Sequence, residues 1–178
     1  KRQPGLEYAG TVIDVGLNVS KWSIGDRVMG LVGGGAMAQT VVTHEDEAIA
    51  IPQNISFTEA ATLPEAQITA FDALERLHLI KGQSLLIHAI GSGVGEALLQ
   101  QALAKGLRVW GTARNQWKLE RAKKAGLHEA VLSENGQFIS KLQANKFDGI
   151  VDFIGAAYMA QNIDCLATKG KLLILGLM

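Results

Sequence analysis

The chain has 178 residues, 48% hydrophobic and 19% charged, which is enough apolar material for a core and too much for a disordered tail. Its 17 Lys and Arg balance 17 Asp and Glu, so no basic excess marks it for nucleic acid or a membrane surface. One cysteine, Cys165, excludes an intrachain disulfide framework and a cysteine-rich zinc lobe and suits a reducing, cytoplasmic setting; no apolar run approaches the ~20 residues of a membrane helix.

Residues 5–52 are dense in turns and β-branched residues and predict a small barrel-like or sandwich β domain. TVIDV (11–15) predicts a strand. GDRVMGLV (25–32) predicts a turn and an apolar strand, and GGGAMAQTVV (33–42) a loop entering another. The acidic run 44–47 reads as a solvated loop. Ser56 and Glu59 have capping-box spacing, and a helix is predicted over 64–79. Strands and helices then alternate. Strands are predicted at 85–90, 107–113, 130–132, 148–154 and 170–176. Helices are predicted at 94–105 (stopped by Gly106), 115–125 (stopped by Gly126), 136–144 and 156–166. Such alternation demands right-handed crossovers and a parallel sheet covered on both faces. The predicted fold class is therefore α/β, a doubly wound parallel sheet over residues 66–178 preceded by a β-rich domain over 1–65.

The segment HAIGSGVGEALLQ (88–100) places Gly91, Gly93 and Gly95 between a predicted strand and helix. A dinucleotide site needs this junction, because the helix N-terminus aims free N–H groups and its positive dipole end at a pyrophosphate. The spacing is not the regular G-x-G-x-x-G, so the glycines alone also fit a plain tight corner. NAD-binding domains place an acid about 20 residues further on to hold the ribose 2′-hydroxyl. Here that region reads Gly111-Thr-Ala-Arg114, with Lys118 one helical turn later. Cations attract a 2′-phosphate where an acid would repel it, so the pattern favours NADP(H) over NAD(H). The competing reading is a solvated helix start.

Several motifs in register carry a wider resemblance: GLEYAGTV, GDRVMGL, GGGAMAQTVV, LPEAQITAFDAL, HAIGSGVGEALLQ, GTARNQWKLE, FDGIVDFIG and KLLILGLM. Together they resemble the zinc-free medium-chain reductases of the NADPH:quinone oxidoreductase (zeta-crystallin-like) family, nearest the tumour-suppressor-inducible branch. The resemblance implies a Rossmann-type doubly wound sheet preceded by part of a GroES-like β domain. It implies a piece of a longer protein, with a segment missing beside Gln3-Pro4-Gly5. It also implies site roles. Ser92, Gly93 and Val94 would lie against the pyrophosphate, and Arg114 and Lys118 would meet the 2′-phosphate, although relatives have glycine or serine at the place of Arg114. Ser133 stands where relatives often have a cofactor-binding tyrosine. Thr69 would approach the nicotinamide, and Ile154, Gly155, Leu175, Gly176 and Leu177 would end strands at the crevice. Zinc-dependent relatives carry Gly-His-Glu where this chain has Gly5-Leu6-Glu7, and leucine cannot bind zinc, so no metal is expected.

The resemblance implies reduction of a small-molecule quinone, enone or enal by NADP(H), with the chemistry resting on the nicotinamide and no catalytic side chain assigned. Bare sheet edges would favour a homodimer or higher homo-oligomer. Two alternatives stand beside this reading. One is a non-catalytic NADPH-binding structural or redox-sensing module. The other is a Rossmann-like methyltransferase, for which an acid is expected where Arg114 stands. His88 and Cys165 read as packed core residues.

Overall fold

Short segments parted by turns make the first sheet of the computed structural model, which describes residues 3–142 and 145–176. β1 (Glu7–Thr11), β2 (Arg27–Leu31) and β3 (Ala48–Ala50) are antiparallel in the order β1-β2-β3, with Glu7 opposite Leu31 and Met29 opposite Ile49. The β1 strand begins four residues earlier than the TVIDV expectation and ends at Thr11, beyond which Ile13 and Val15 are exposed. Residues 33–42 form no strand; β3 makes the pairing with β2 instead. The acidic run is a 3-10 turn, Glu45–Glu47. Helix α1 (Phe57–Ala60) opens on the expected capping box, in which Ser56 and Glu59 satisfy each other's backbone N–H. This unit runs to Ile68, and a second begins at Thr69.

The second unit follows α2 (Pro64–Leu77) with β4 (Ser84–Ile87), α3 (Gly93–Ala104), β5 (Arg108–Ala113), α4 (Gln116–Lys124), β6 (Glu129–Leu132), β7 (Phe147–Asp152), α5 (Met159–Cys165) and β8 (Leu166–Ile174). Every pairing is parallel and the order is β6-β5-β4-β7-β8, the doubly wound arrangement that its first strand, β4, centres. All four β4 residues are buried, as a strand covered on both faces requires. Right-handed crossovers put α3 and α4 on one face of the sheet and α5 on the other. Leu86, Val131, Phe138, Phe147, Ile150, Tyr158 and Cys165 pack together as one core cluster. At the other end of the strands Asp148 Oδ2 accepts the Ser84 amide and hydroxyl, both at 2.8 Å, tying β7 to β4.

The helix expected over 136–144 is absent from residues 136–142, and 143–144 lie outside the described residues. Asn135 and Gly136 both have positive φ, 50° and 76°, and Glu134 pairs with Gln137 across them. This is the Asn-Gly tight turn that a two-residue hairpin favours. A 3-10 turn, Ile139–Lys141, follows, and Phe138 and Leu142 on either side of it are buried in the core.

Candidate functional site

The sheet's carboxyl edge is built by three turns. After β4 the chain passes through Ala89, which holds left-handed backbone at φ 48°, a cost of about 1–2 kcal/mol for a residue with a Cβ. Ser92 then caps α3: its Oγ accepts Gly95 N–H at 3.0 Å and its carbonyl accepts Glu96 N–H at 2.9 Å. The Gly93 and Val94 amides have no intrahelical acceptor and stand at the positive end of the helix. Two glycines are needed here for close approach. A Cβ at Gly95 would fall 2.6 Å from Ala89 O, and one at Gly91 would fall 2.7 Å from Lys118 Cβ and Cδ. The β4–α3 turn is therefore packed against the first turn of α4.

A cavity of about 230 Å³ opens at this edge. Ala89, Gly91 and Ser92 form one wall. Thr112, Ala113, Arg114, Asn115 and Lys118 form a second, and Ile154 and Tyr158 form a third. Arg114 is exposed, while the Lys118 stem lies on Gly91 and its ammonium sits 5.5 Å from the Trp117 ring centre. The cavity thus brings together Ser92, Arg114, Lys118 and Ile154 of the expected residues. Gly93 and Val94 follow Ser92 in the first turn of α3, and Gly155 follows Ile154 at φ 80°. Leu175 donates its N–H to Asp152 O at 2.9 Å, and Gly176 is exposed at φ 80°; neither is on the cavity wall. Thr69 is half-buried on α2 and is also off this wall. Leu177 lies outside the described residues. Ser133 is buried, with its Oγ 2.5 Å from Tyr158 Oη. Tyr158, which sequence reasoning missed, supplies the aromatic wall, and Ser133 holds it from behind.

Beneath the cavity lies a buried polar chain. His88 Nδ1 is 2.8 Å from Thr112 Oγ1, and Nε2 is 2.7 Å from Asn162 Oδ1. Asn162 Nδ2 donates to Asp152 Oδ2 at 2.9 Å. Asp152 Oδ1 accepts the Ile154 and Gly155 amides at 2.7 and 3.2 Å. Desolvation is the largest influence on His88 and pushes its pKa below the usual imidazole range, against the raising influence of Asn162 and Asp152. Cys165 is buried and desolvation raises its thiol to about 11.

A larger concavity of about 580 Å³ lies in the first unit, where among the described residues Glu47 is the only charged one on its wall and no cation converges. Among the described residues no three His, Cys, Asp or Glu come together to hold a metal. Glu7 Oε2 accepts the Glu65 amide at 3.1 Å, and its neighbour is Leu6. Among them, too, no helix is long and apolar enough to cross a membrane.

Two family models match in series. Residues 2–53 match the alcohol dehydrogenase GroES-like domain and residues 93–178 match the zinc-binding dehydrogenase model. The residues described above do not fit the zinc that the second name carries. The chain is 30% identical over 179 residues to a Bos taurus quinone oxidoreductase-like protein 2, covering 97% of this chain and 51% of the bovine protein. It superposes on the CurK enoyl reductase with a TM-score of 0.92 at 30% identity, covering 99% of this chain and 55% of the other. It superposes on a mycobacterial protein solved in complex with NADPH with a TM-score of 0.86 at 27% identity, covering 97% and 56%. The chain spans about half the length of these relatives. It spans 9% of a Mycobacterium tuberculosis mycocerosic acid synthase-like polyketide synthase to which it is 31% identical over 183 residues, 98% of this chain.

Proposed function

Because the chain belongs to the medium-chain dehydrogenase/reductase family, we propose that it is the cofactor-binding portion of an NADPH-dependent oxidoreductase that reduces quinones or electron-poor enones and enals. The observation that carries this reading is the cavity at the carboxyl edge of the sheet. It joins a helix N-terminus to two cations and, among the described residues, offers no carboxylate on its wall. At about 230 Å³ it is below the ~300 Å³ at which ligand pockets usually begin, so it takes one half of a dinucleotide. The adenosine half suits it. The Gly93 and Val94 amides meet the pyrophosphate with the helix dipole behind them. Lys118, held on Gly91, and Arg114 meet the 2′-phosphate. Tyr158 and Ile154 supply an apolar wall for the base. Residues up to 65 are read as part of the substrate-side β domain and those from 66 as the nucleotide domain, with Thr69 toward the nicotinamide.

When bound, NADPH supplies a hydride from nicotinamide C4. The neighbours in sequence and structure favour two acceptor classes: one relative is named a quinone oxidoreductase-like protein and one an enoyl reductase. The finer assignment, to the tumour-suppressor-inducible branch, rests on the LPEA and SGVG segments. Among the described residues no carboxylate on the cavity wall competes with the phosphate, and no side chain is required to move a proton in this half of the site.

The test is a fluorescence titration of the chain with NADPH and NADH, followed by turnover with a simple quinone and a simple enal. NADPH is expected to bind at least tenfold more tightly, and Lys118→Ala to narrow the gap several-fold. Equal affinities in the unmutated chain would remove the 2′-phosphate assignment. Binding without turnover by a chain joined to its full β domain would leave a non-catalytic NADPH module.

A further inference from the structure

The polar chain under the cavity has a direction that elementary hydrogen-bond chemistry sets. Asp152 is fully buried, and as a carboxylate it only accepts. Asn162 must therefore turn its amide nitrogen to Asp152 and its oxygen to His88. That oxygen also only accepts, so His88 Nε2 carries the ring proton. Nδ1 of the neutral ring is then bare and accepts the Thr112 hydroxyl proton across 2.8 Å. Phe138 and Tyr158 close on the imidazole, with ring centres 4.6 and 4.8 Å away, so the charged group facing it is Asp152, reached through Asn162. Thr112 itself is almost wholly buried, at 1% exposure, where it borders the cavity. Its carbonyl is occupied by the Ile90 amide at 2.9 Å, which leaves the hydroxyl as the polar group it can offer.

We propose that Asp152, Asn162 and His88 are positioning residues that commit the Thr112 hydroxyl proton to the core, so that Thr112 meets the nucleotide only as a hydrogen-bond acceptor and selects an O–H or N–H donor of the adenosine half. The proposal rests on the nucleotide reading of the cavity. The same carboxylate serves the opposite rim, because its Oδ1 holds the turn that carries Ile154. One buried acid thus sets the polarity of one wall and the position of another. A ligand that offers an acceptor at Thr112 meets two lone pairs with no proton between them and binds more weakly.

Two measurements test it on the whole chain. The first needs no nucleotide: the ¹⁵N spectrum of the histidines near neutral pH, with His88 assigned by comparison with His88→Gln. A neutral ring protonated on Nε2 is expected. A ring protonated on Nδ1, or an imidazolium, overturns the hydrogen-bond direction whatever the cavity binds. The second compares NADPH with two analogues, one whose adenine amino group is replaced by an oxo group and one lacking the adenosine 3′-hydroxyl. One of the two is expected to bind about tenfold more weakly than NADPH, which tells base donor from sugar donor. That difference is expected to vanish in Thr112→Val and persist in Thr112→Ser, with Thr112→Ala as the second variant should valine not fold. Both analogues binding as well as NADPH, or a difference that survives in Thr112→Val, overturns the selection. A chain that binds no NADPH fails the cofactor reading and the selection with it, while the spectrum still decides the direction of the chain.

Discussion

A Cβ added at Gly91 would meet Lys118 Cβ, Cγ and Cδ at 2.7–2.9 Å. Only glycine lets the lysine stem lie on this turn, so Gly91→Ala is expected to displace Lys118 with the first turn of α4 and weaken NADPH binding several-fold, as Lys118→Ala does, with NADH binding reduced less; the two titrations check it. Lys118 Cβ is fixed to the α4 backbone, so rotating the side chain relieves only part of the clash and the first turn of α4 must also give way by a few tenths of an ångström; the helix is kept, so the circular dichroism spectrum should hardly change. Cys165 answers a different question. With its thiol at about 11, roughly one molecule in a thousand carries the thiolate at pH 8, and the sulfur is buried. Labelling by a disulfide reagent is expected to follow unfolding, slow in buffer and prompt in denaturant. Prompt labelling of the folded chain would contradict the burial. Arg114 and Lys118 were legible because their place in the pattern, just past a strand ending at a helix start, is a local matter. The partnership of Ser133 with Tyr158 was not, because the two are joined only when β6 and the segment before α5 fold onto one core.

At the scale of elements, the start of α3 shows what a cap contributes. Ser92→Ala removes the acceptor for Gly95 N–H and is expected to cost about 1 kcal/mol, read as a lower denaturant midpoint at unchanged slope. Gly95→Ala is more severe, because its Cβ would meet the backbone oxygens of Ala89 and Ile90 at 2.6 and 2.9 Å. Backbone yields less than a side chain, and about 1–3 kcal/mol of destabilisation is expected; a variant as stable as the parent would show that α3 can shift freely on β4. Helix boundaries signalled by caps were readable: the Ser56–Glu59 box and the stops at Gly106 and Gly126 stand where their chemistry puts them. Over 136–142 the Asn135-Gly136 turn prevails over the expected helix, because both residues take the left-handed backbone that a tight turn needs and a helix cannot use. The strand expected at the end of the 33–42 loop failed for another reason. A strand needs a partner, and the β2 edge is taken by Ala48–Ala50.

Across the whole molecule, the buried His88 makes stability depend on pH. Its folded pKa is lowered, chiefly by desolvation, while an unfolded histidine titrates near ~6.5. Below that value the unfolded chain binds a proton that the folded chain refuses. The contribution is therefore complete above about pH 6.5 and is lost as pH falls toward the folded pKa, with a slope of up to about 1.4 kcal/mol per pH unit. Urea midpoints between pH 7.5 and 5 are expected to fall more steeply for the parent than for His88→Gln; parallel profiles would refute it. The sequence alone determined the alternation of strand and helix, the β-rich texture before it, and the cations at the end of the second strand. Each follows from local periodicity, turn chemistry and charge, which neighbouring residues carry among themselves. Tertiary structure alone decided that the β4, β5 and β7 ends share one cavity, that Tyr158 forms its third wall, and that Asp152 reaches Thr112 through Asn162 and His88. Those groups lie 10 to 74 residues from their partners, and only the order of strands in the sheet brings them within hydrogen-bond reach.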